Sequence, residues 1–223
     1  TAHYNLAYAY FKQKDYTNAS SWFRKYITGN ETNPGEKLAD AYNRLGDCYF
    51  IERNYNTAIG YFDKSYQLNL YDPDYALFQK AFCMGLQREN EQKISNLRNL
   101  LQVFPKSQYV DDALYELGRA YEQNQPQAAI NYYQNLVNEY PQSNLTPKAL
   151  LQLGLIYYNT SEFKKSVSYY KQVPEKYPNS TEAQAALLGI KNNYVEMNDV
   201  NAYFEYTETL GTGVHVSVSE QDS

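Results

Sequence analysis

The segment AYNRLGDCYF, residues 41–50, sets the reading of the whole chain. Tyr42, Leu45, Gly46 and Tyr49 fall at i, i+3, i+4 and i+7, one stripe of a helix. Glycine inside a helix costs roughly 1 kcal/mol relative to alanine, so Gly46 makes sense only where another helix crosses closely. The stripe returns as Leu114, Leu117, Gly118, Tyr121 and as Leu150, Leu153, Gly154, Tyr157. An earlier copy is His3, Leu6, Ala7, Tyr10; blurred copies are Ala81, Met84, Gly85, Arg88 and Ala185, Leu188, Gly189, Asn192. From Gly46 onward the glycines lie 39, 33, 36 and 35 residues apart, a period that signals stacked helical units.

Each stripe is followed by a short polar gap and a second helical pattern. Its markers are Tyr16, Ala19, Phe23; Tyr55, Ala58, Phe62; and Phe163, Ser166, Tyr170. The fourth copy carries Pro126, suited to a first helical turn, then Ala129 and Tyr133. Pro105, Pro141 and Pro178 close three second helices, because proline in a helix interior costs about 3 kcal/mol. Each of these prolines sits in an aromatic-Pro-x-Ser linker, at 104–107, 140–143 and 177–180. On this reading each glycine is the joint between one helical pair and the next, with a small residue such as Ala129 meeting the gap at Gly118.

Composition narrows the function classes. The 223 residues are 43% apolar and 20% charged, which allows a packed core. The net charge is -5 and no window gathers lysine and arginine, which argues against a nucleic-acid partner. No run approaches the roughly 20 apolar residues of a membrane span. His3 and His215 have no cysteine or carboxylate cluster around them, so no metal site is expected. No nucleophile-base grouping or phosphate loop is present, and Asp111-Asp112 reads as a helix N-terminus; neither an enzyme nor a cofactor is expected. Cys48 and Cys83 read as two buried thiols, since first helices about 8–10 Å apart exceed disulfide reach. The Asn-x-Ser/Thr triplets at Asn18, Asn30, Asn144, Asn159 and Asn179 read as chance in an asparagine-rich chain. Tyrosine is the anomaly, with 26 residues, an excess that suggests either a large core payload or a sticky surface.

The pattern of small and aromatic residues resembles the tetratricopeptide repeat family across about 200 of the 223 residues. The resemblance implies an all-α, right-handed solenoid of about six helix-turn-helix units, approximately 1–33, 34–71, 72–106, 107–142, 143–179 and 180–210. The third is expected to be irregular, because Lys93 and Leu97 replace its small-and-aromatic pair, and the sixth lacks an aromatic after Gly189. Residues 211–223, with Val214, Val216 and Val218 alternating, are expected to be an extended linker or a crossover toward a missing C-terminal region. The opening TAHYNLAYAY lies inside an amphipathic pattern, so the chain is expected to be an excerpt from a longer protein. The linker style resembles that of periplasmic and outer-membrane tetratricopeptide proteins of Gram-negative bacteria, the β-barrel assembly lipoprotein and the TolA-associated coordinator among them. That likeness implies a bacterial periplasmic setting.

What the family implies about function is a scaffold that holds a protein or peptide in the concave groove lined by first helices. Counting from the glycines, the implied groove is Tyr4, Tyr8 and Phe11; Asn43, Asp47 and Phe50; Phe82, Leu86 and Glu89. The later units add Tyr115, Arg119 and Glu122; Leu151, Leu155 and Tyr158; Ala186, Ile190 and Asn193. The lysine-asparagine clamp of chaperone-binding repeats is missing at Tyr4/Tyr8, Asn43/Asp47 and Phe82/Leu86. Two alternatives stand beside this reading: a glycan-binding outer-membrane lipoprotein using exposed tyrosines, and a purely structural spacer.

Overall fold

The computed structural model describes residues 2–210, which form twelve α-helices. The tail expected to be extended lies outside the described residues. The helices come in six pairs: α1 (Ala2–Lys12) with α2 (Tyr16–Thr28), α3 (Glu36–Ile51) with α4 (Tyr55–Leu68), and α5 (Pro73–Leu86) with α6 (Asn90–Val103). Then follow α7 (Val110–Tyr121) with α8 (Pro126–Glu139), α9 (Thr146–Asn159) with α10 (Phe163–Lys176), and α11 (Ala183–Glu196) with α12 (Val200–Thr209). The chain divides into two compact units, Thr1–Ala113 and Leu114–Ser223. In the first, each helix from α1 to α5 packs on its successor. In the second, successive helices from α8 to α12 do the same, and α9 also touches α11.

Local chemistry explains where the helices turn. Five of the six pairs are joined by a three-residue turn whose middle residue is left-handed: Lys14 (φ 61°), Arg53 (59°), Arg88 (65°), Ser161 (59°) and Asn198 (54°). Each of these N–H groups donates to a carbonyl three residues back, and the next N–H donates five back, as in Arg53 to Phe50 and Asn54 to Tyr49. Those bonds satisfy carbonyls that the helix end would otherwise leave open. Asp15 and Asn54 then cap α2 and α4 by accepting the N–H groups of Asn18 and Thr57. The aromatic-Pro-x-Ser linkers close in the same way three times: the N–H of Ser107, Ser143 and Ser180 donates at 3.0 Å to the carbonyl of Phe104, Tyr140 and Tyr177.

The glycine contact is made within a pair, which corrects the expected joint between pairs. A Cβ at Gly46 would lie 2.7 Å from the Phe62 ring, and one at Gly154 would lie 2.6 Å from Tyr170. Gly118 is closed in the same manner by Tyr133. The glycine therefore makes a flat seat for the ring of its own partner helix, and Phe62 and Tyr133 are fully buried there. Tyr170 is held twice, by Gly154 on one edge and by Gly189 of the following pair on the other.

The turns also correct the repeat register in two pairs. The left-handed residue stands seven places after Ala7, Gly46 and Gly154, so in the third pair the small position is Ala81, not Gly85. In the sixth it is Lys191, not Gly189. The corrected positions, 46, 81, 118, 154 and 191, are spaced 35, 37, 36 and 37 residues apart, more evenly than the glycines. Lys93 then occupies the second-helix site held elsewhere by Ala19, Ala58 and Ser166. Gly85, in the place of Phe11, Phe50 and Tyr158, makes room for it: a Cβ there would meet Lys93 Cδ at 2.8 Å. The third pair's irregularity is thus one exchanged contact between two ordinary 14-residue helices.

Candidate functional site

In each unit the candidate site is the face of the first helices, and the two units differ. In the first unit the Tyr4 and Tyr8 hydroxyls both donate to Asp40 Oδ2 at 2.6 Å. Arg44 Nε lies 3.3 Å from Asp40 Oδ1, and Arg44 Nη1 donates to Asp47 Oδ2 at 2.5 Å. Tyr75 donates to the other Asp47 oxygen at 2.5 Å. The guanidinium lies over the rings of Tyr75, at 5.1 Å, and Phe11, at 5.8 Å. The result is a mostly buried polar chain running through α1, α3 and α5.

Burial and neighbouring carboxylates set the ionisation of these groups. Desolvation, then the bond to Asp40, pushes the Tyr4 and Tyr8 phenols well above their ordinary value. Tyr75 is raised by burial and by Asp47, while burial raises the Asp47 carboxyl against the pull of Arg44. The phenols therefore stay protonated and act as donors. Asn43 is fully buried, with its amide 3.4 Å from the Tyr71 carbonyl, so it offers no surface to a partner. Phe50 and Phe82 are half-buried with ring centroids 6.0 Å apart. Leu86, placed in the groove by the uncorrected register, is instead the exposed last residue of α5, and Glu89 precedes α6.

The bonds described in the second unit are different. Arg119 pairs with Glu116 at 3.1 Å but keeps 55% of its side chain exposed, against 19% for Arg44. Tyr115 is half-buried with its ring 5.7 Å from Tyr133, and Tyr133 in turn donates to Glu122. Along α9, Leu151 and Tyr158 are partly covered and Leu155 is 44% exposed. The register correction replaces the expected Ala186, Ile190 and Asn193, all fully buried, by Leu188, Asn192 and Val195. Leu188 is 59% exposed and Val195 49%. The Tyr158 hydroxyl donates to Glu196 at 3.4 Å, tying the ends of α9 and α11 together.

Two features were missed by reading glycines alone. Asp40, Arg44 and Tyr75 lie outside the groove positions counted from the small residue, although Tyr4, Tyr8 and Asp47 flagged the acceptors and donors that they complete. The tyrosine excess also has an address. Tyr49/Tyr61, Tyr121/Tyr132 and Tyr157/Tyr169 stack at 5.5, 5.7 and 5.4 Å with interplanar angles of 5°, 7° and 3°. Each pair joins a first helix to its second, and each ring covers a face of the other. Cys48 and Cys83 are free and buried at the same repeat position. Among the described residues no His/Cys/Asp/Glu group could hold a metal ion, and no helix is long and apolar enough to cross a membrane.

Family models described as tetratricopeptide repeat match residues 75–107, 112–143 and 148–180, and another matches 1–33 and 39–72. The chain belongs to the tetratricopeptide repeat family. The match beginning at 75 sets Ala81 level with Gly118 and Gly154, in agreement with the turn geometry. The pair α11–α12 falls outside the matched segments. Similar solved structures include a tetratricopeptide repeat protein from Parabacteroides merdae, with TM-score 0.70 and 16% identity over 94% of this chain and 80% of that one. The pilF protein of Pseudomonas aeruginosa gives 0.65 and 18% over 96% and 92%. YrrB, titled a repeat protein with an unusual peptide-binding site, gives 0.60 and 18% over 84% and 90%. At such identities the likeness is one of fold. Comparison with curated proteins gives no significant match.

Proposed function

We propose that this repeat array is a non-catalytic scaffold whose second unit holds a protein or peptide partner against the first helices, within a larger cell-envelope protein. The observation that carries the reading is the exposed row Leu155, Leu188 and Val195 on neighbouring helices α9 and α11. An apolar row of this kind on a helical face is a surface that a partner can cover. Of the groove residues expected from sequence, Tyr115, Arg119, Glu122, Leu151, Leu155 and Tyr158 belong to this half. Tyr4, Tyr8 and Asp47 serve the internal chain of the first unit. The envelope setting is supported by the aromatic-Pro-x-Ser linkers. The glycan alternative draws no support from the stacked tyrosine pairs, whose facing sides are mutually covered.

The test is a photoreactive residue placed at Leu155, at Leu188, or at exposed Arg24 as a control, in cells of the source organism. A common adduct at the first two positions and not at the third is expected. Adducts that do not distinguish the three positions would sink the scaffold reading. Fractionation of the same cells tests the envelope setting, which fails if the chain is recovered only from the cytosol.

A further inference from the structure

The first and last pairs in chain order expose positions that the inner pairs bury. Five places before the small residue, α3, α5, α9 and α11 carry Ala41, Ala76, Ala149 and Ala186, each 0% exposed. Just before the small residue, α3, α9 and α11 carry Leu45, Leu153 and Ile190, also fully buried. All four helices pack on the second helix of the preceding pair. In α1 the same two positions are Ala2 and Leu6, and both are exposed, Leu6 by 37%. The other half of the joint lies open on α12. One place after Ala19, Ala129 and Ser166 stand Ser20, Ile130 and Val167, buried on helices that pack against the next first helix. In α12 that position is Phe204, 57% exposed, and Val200 one turn before it is exposed as well. A terminal repeat ordinarily turns a polar face outward. Here α1 presents the seat of an inner joint and α12 the ridge that fills it, so the inner joints show what covers each.

Charge and register agree with that fit. Residues 2–29, the first pair, carry Lys12, Lys14, Arg24 and Lys25 against Asp15, a net charge of +3. Residues 183–210, the last pair, carry Glu196, Asp199, Glu205 and Glu208 against Lys191, a net charge of -3. Second helices also touch across a joint at fixed places. Gln134 of α8 donates to the Tyr169 hydroxyl of α10 at 2.7 Å, and the Tyr206 hydroxyl of α12 donates to the Lys171 carbonyl of α10 at 3.4 Å. Tyr169 and Tyr206 come three places after Ser166 and Tyr203, as Trp22 does after Ala19. Gln134 and Lys171 come five places after Ala129 and Ser166, as Glu208 does after Tyr203. Lys25 Nζ lies 3.9 Å from the centre of the Trp22 ring. A joint made in the inner register therefore sets Glu208 of one copy beside Trp22 and Lys25 of the next.

We infer that copies of this chain associate head to tail, the open face of α12 in one copy packing on α1 of the next as α10 packs on α11. The contact is heterologous, so it does not stop at two copies but builds rings or open filaments. Opposite net charge on the two pairs favours this joint over contacts of like with like. The inference is independent of the scaffold reading, which concerns Leu155 and Leu188.

Sedimentation velocity of the full chain over a range of concentrations tests this. The mass should rise past that of a dimer as concentration increases, and fall with added salt. Phe204→Ser and Leu6→Ser, both at exposed sites, should each weaken association about tenfold or more, with helical circular dichroism unchanged. Glu208→Lys and Lys25→Glu should each weaken it about fivefold, and the double exchange should restore it. A chain that stays monomeric into the millimolar range would overturn the inference. So would a species that stops at the dimer and ignores Lys25→Glu, or a double exchange that restores nothing.

Discussion

The two compact units follow the same repeat rules but put opposite chemistry on their first helices. In the first, the groove positions hold phenols, an amide and a carboxylate, and residues just outside them supply Asp40, Arg44 and Tyr75. The Tyr4, Tyr8 and Tyr75 hydroxyls and the Arg44 guanidinium end on Asp40 and Asp47, so most of the face is spent on itself. In the second, the equivalent positions on α9 and α11 are leucine, tyrosine, asparagine and valine; Tyr158 donates to Glu196, while Leu155, Leu188 and Val195 remain open. A groove position is thus a place and not a role. Whether it binds outward depends on what the neighbouring helix presents to it.

The sharpest way to break this comparison is to remove the central cation of each half. Arg44→Ala leaves two mostly buried carboxylates without their shared partner and is expected to cost about 3–5 kcal/mol, read by chemical denaturation. Arg119→Ala, at a side chain more than half exposed, is expected to cost under about 1 kcal/mol. Equal losses would show that the first unit's polar chain is no more than a surface ornament.

A smaller contrast lies in the glycine seats. Gly154→Ala drives a methyl into the Tyr170 ring, which Gly189 holds from the other side, and should cost about 1–3 kcal/mol. Gly85→Ala meets only the flexible stem of Lys93, so strain and the roughly 1 kcal/mol gain in helix propensity should nearly cancel. Thermal unfolding of the two variants decides it.

Alkaline titration sharpens the picture further. Tyr4, Tyr8, Tyr75 and Tyr133 all have phenols raised by burial first and by carboxylate partners next. A raised value means that their contribution to stability is complete below the ordinary tyrosine value of about 10 and is lost as the pH climbs toward the folded one. Tyrosinate absorbance from these groups should therefore appear together with unfolding. Asp40→Asn should bring the onset to lower pH through Tyr4 and Tyr8, with no change at Tyr133.

The least effect is expected at the thiols. Cys48 and Cys83 are both pushed up to about 12, by burial first and by Asp47 next, so neither should react with a thiol reagent at neutral pH in the folded chain. Because both lie in the first unit, their labelling rate reports on that unit's opening. Arg44→Ala should speed it and Gly154→Ala should leave it unchanged.

Much of this was legible in residue types and spacing. Helical pairing, the close crossing at Gly46, Gly118 and Gly154, and the proline stops follow from backbone propensities, which act within a few residues and leave a local trace. The family resemblance rested on the same local pattern. The register of the third and sixth pairs was not legible, because Gly85 and Gly189 are as small as the seat residues and serve other partners, Lys93 and Tyr170. Counting glycines could not tell one use from another. The left-handed turn residues could, since a backbone turn of fixed length ties five of the pairs, the third and sixth among them, to one phase.

The sequence by itself determined an all-α array of paired helices, with glycine where helices cross and proline where they stop, because those preferences are written in the backbone of single residues. Only the tertiary structure decided which ring sits on which glycine, and that Tyr4, Tyr8 and Asp47 answer to Asp40, Arg44 and Tyr75. It alone also showed that Leu155, Leu188 and Val195 stay open. Those outcomes depend on side chains some thirty residues apart reaching one another, and that reach is set by packing distances that no local pattern encodes.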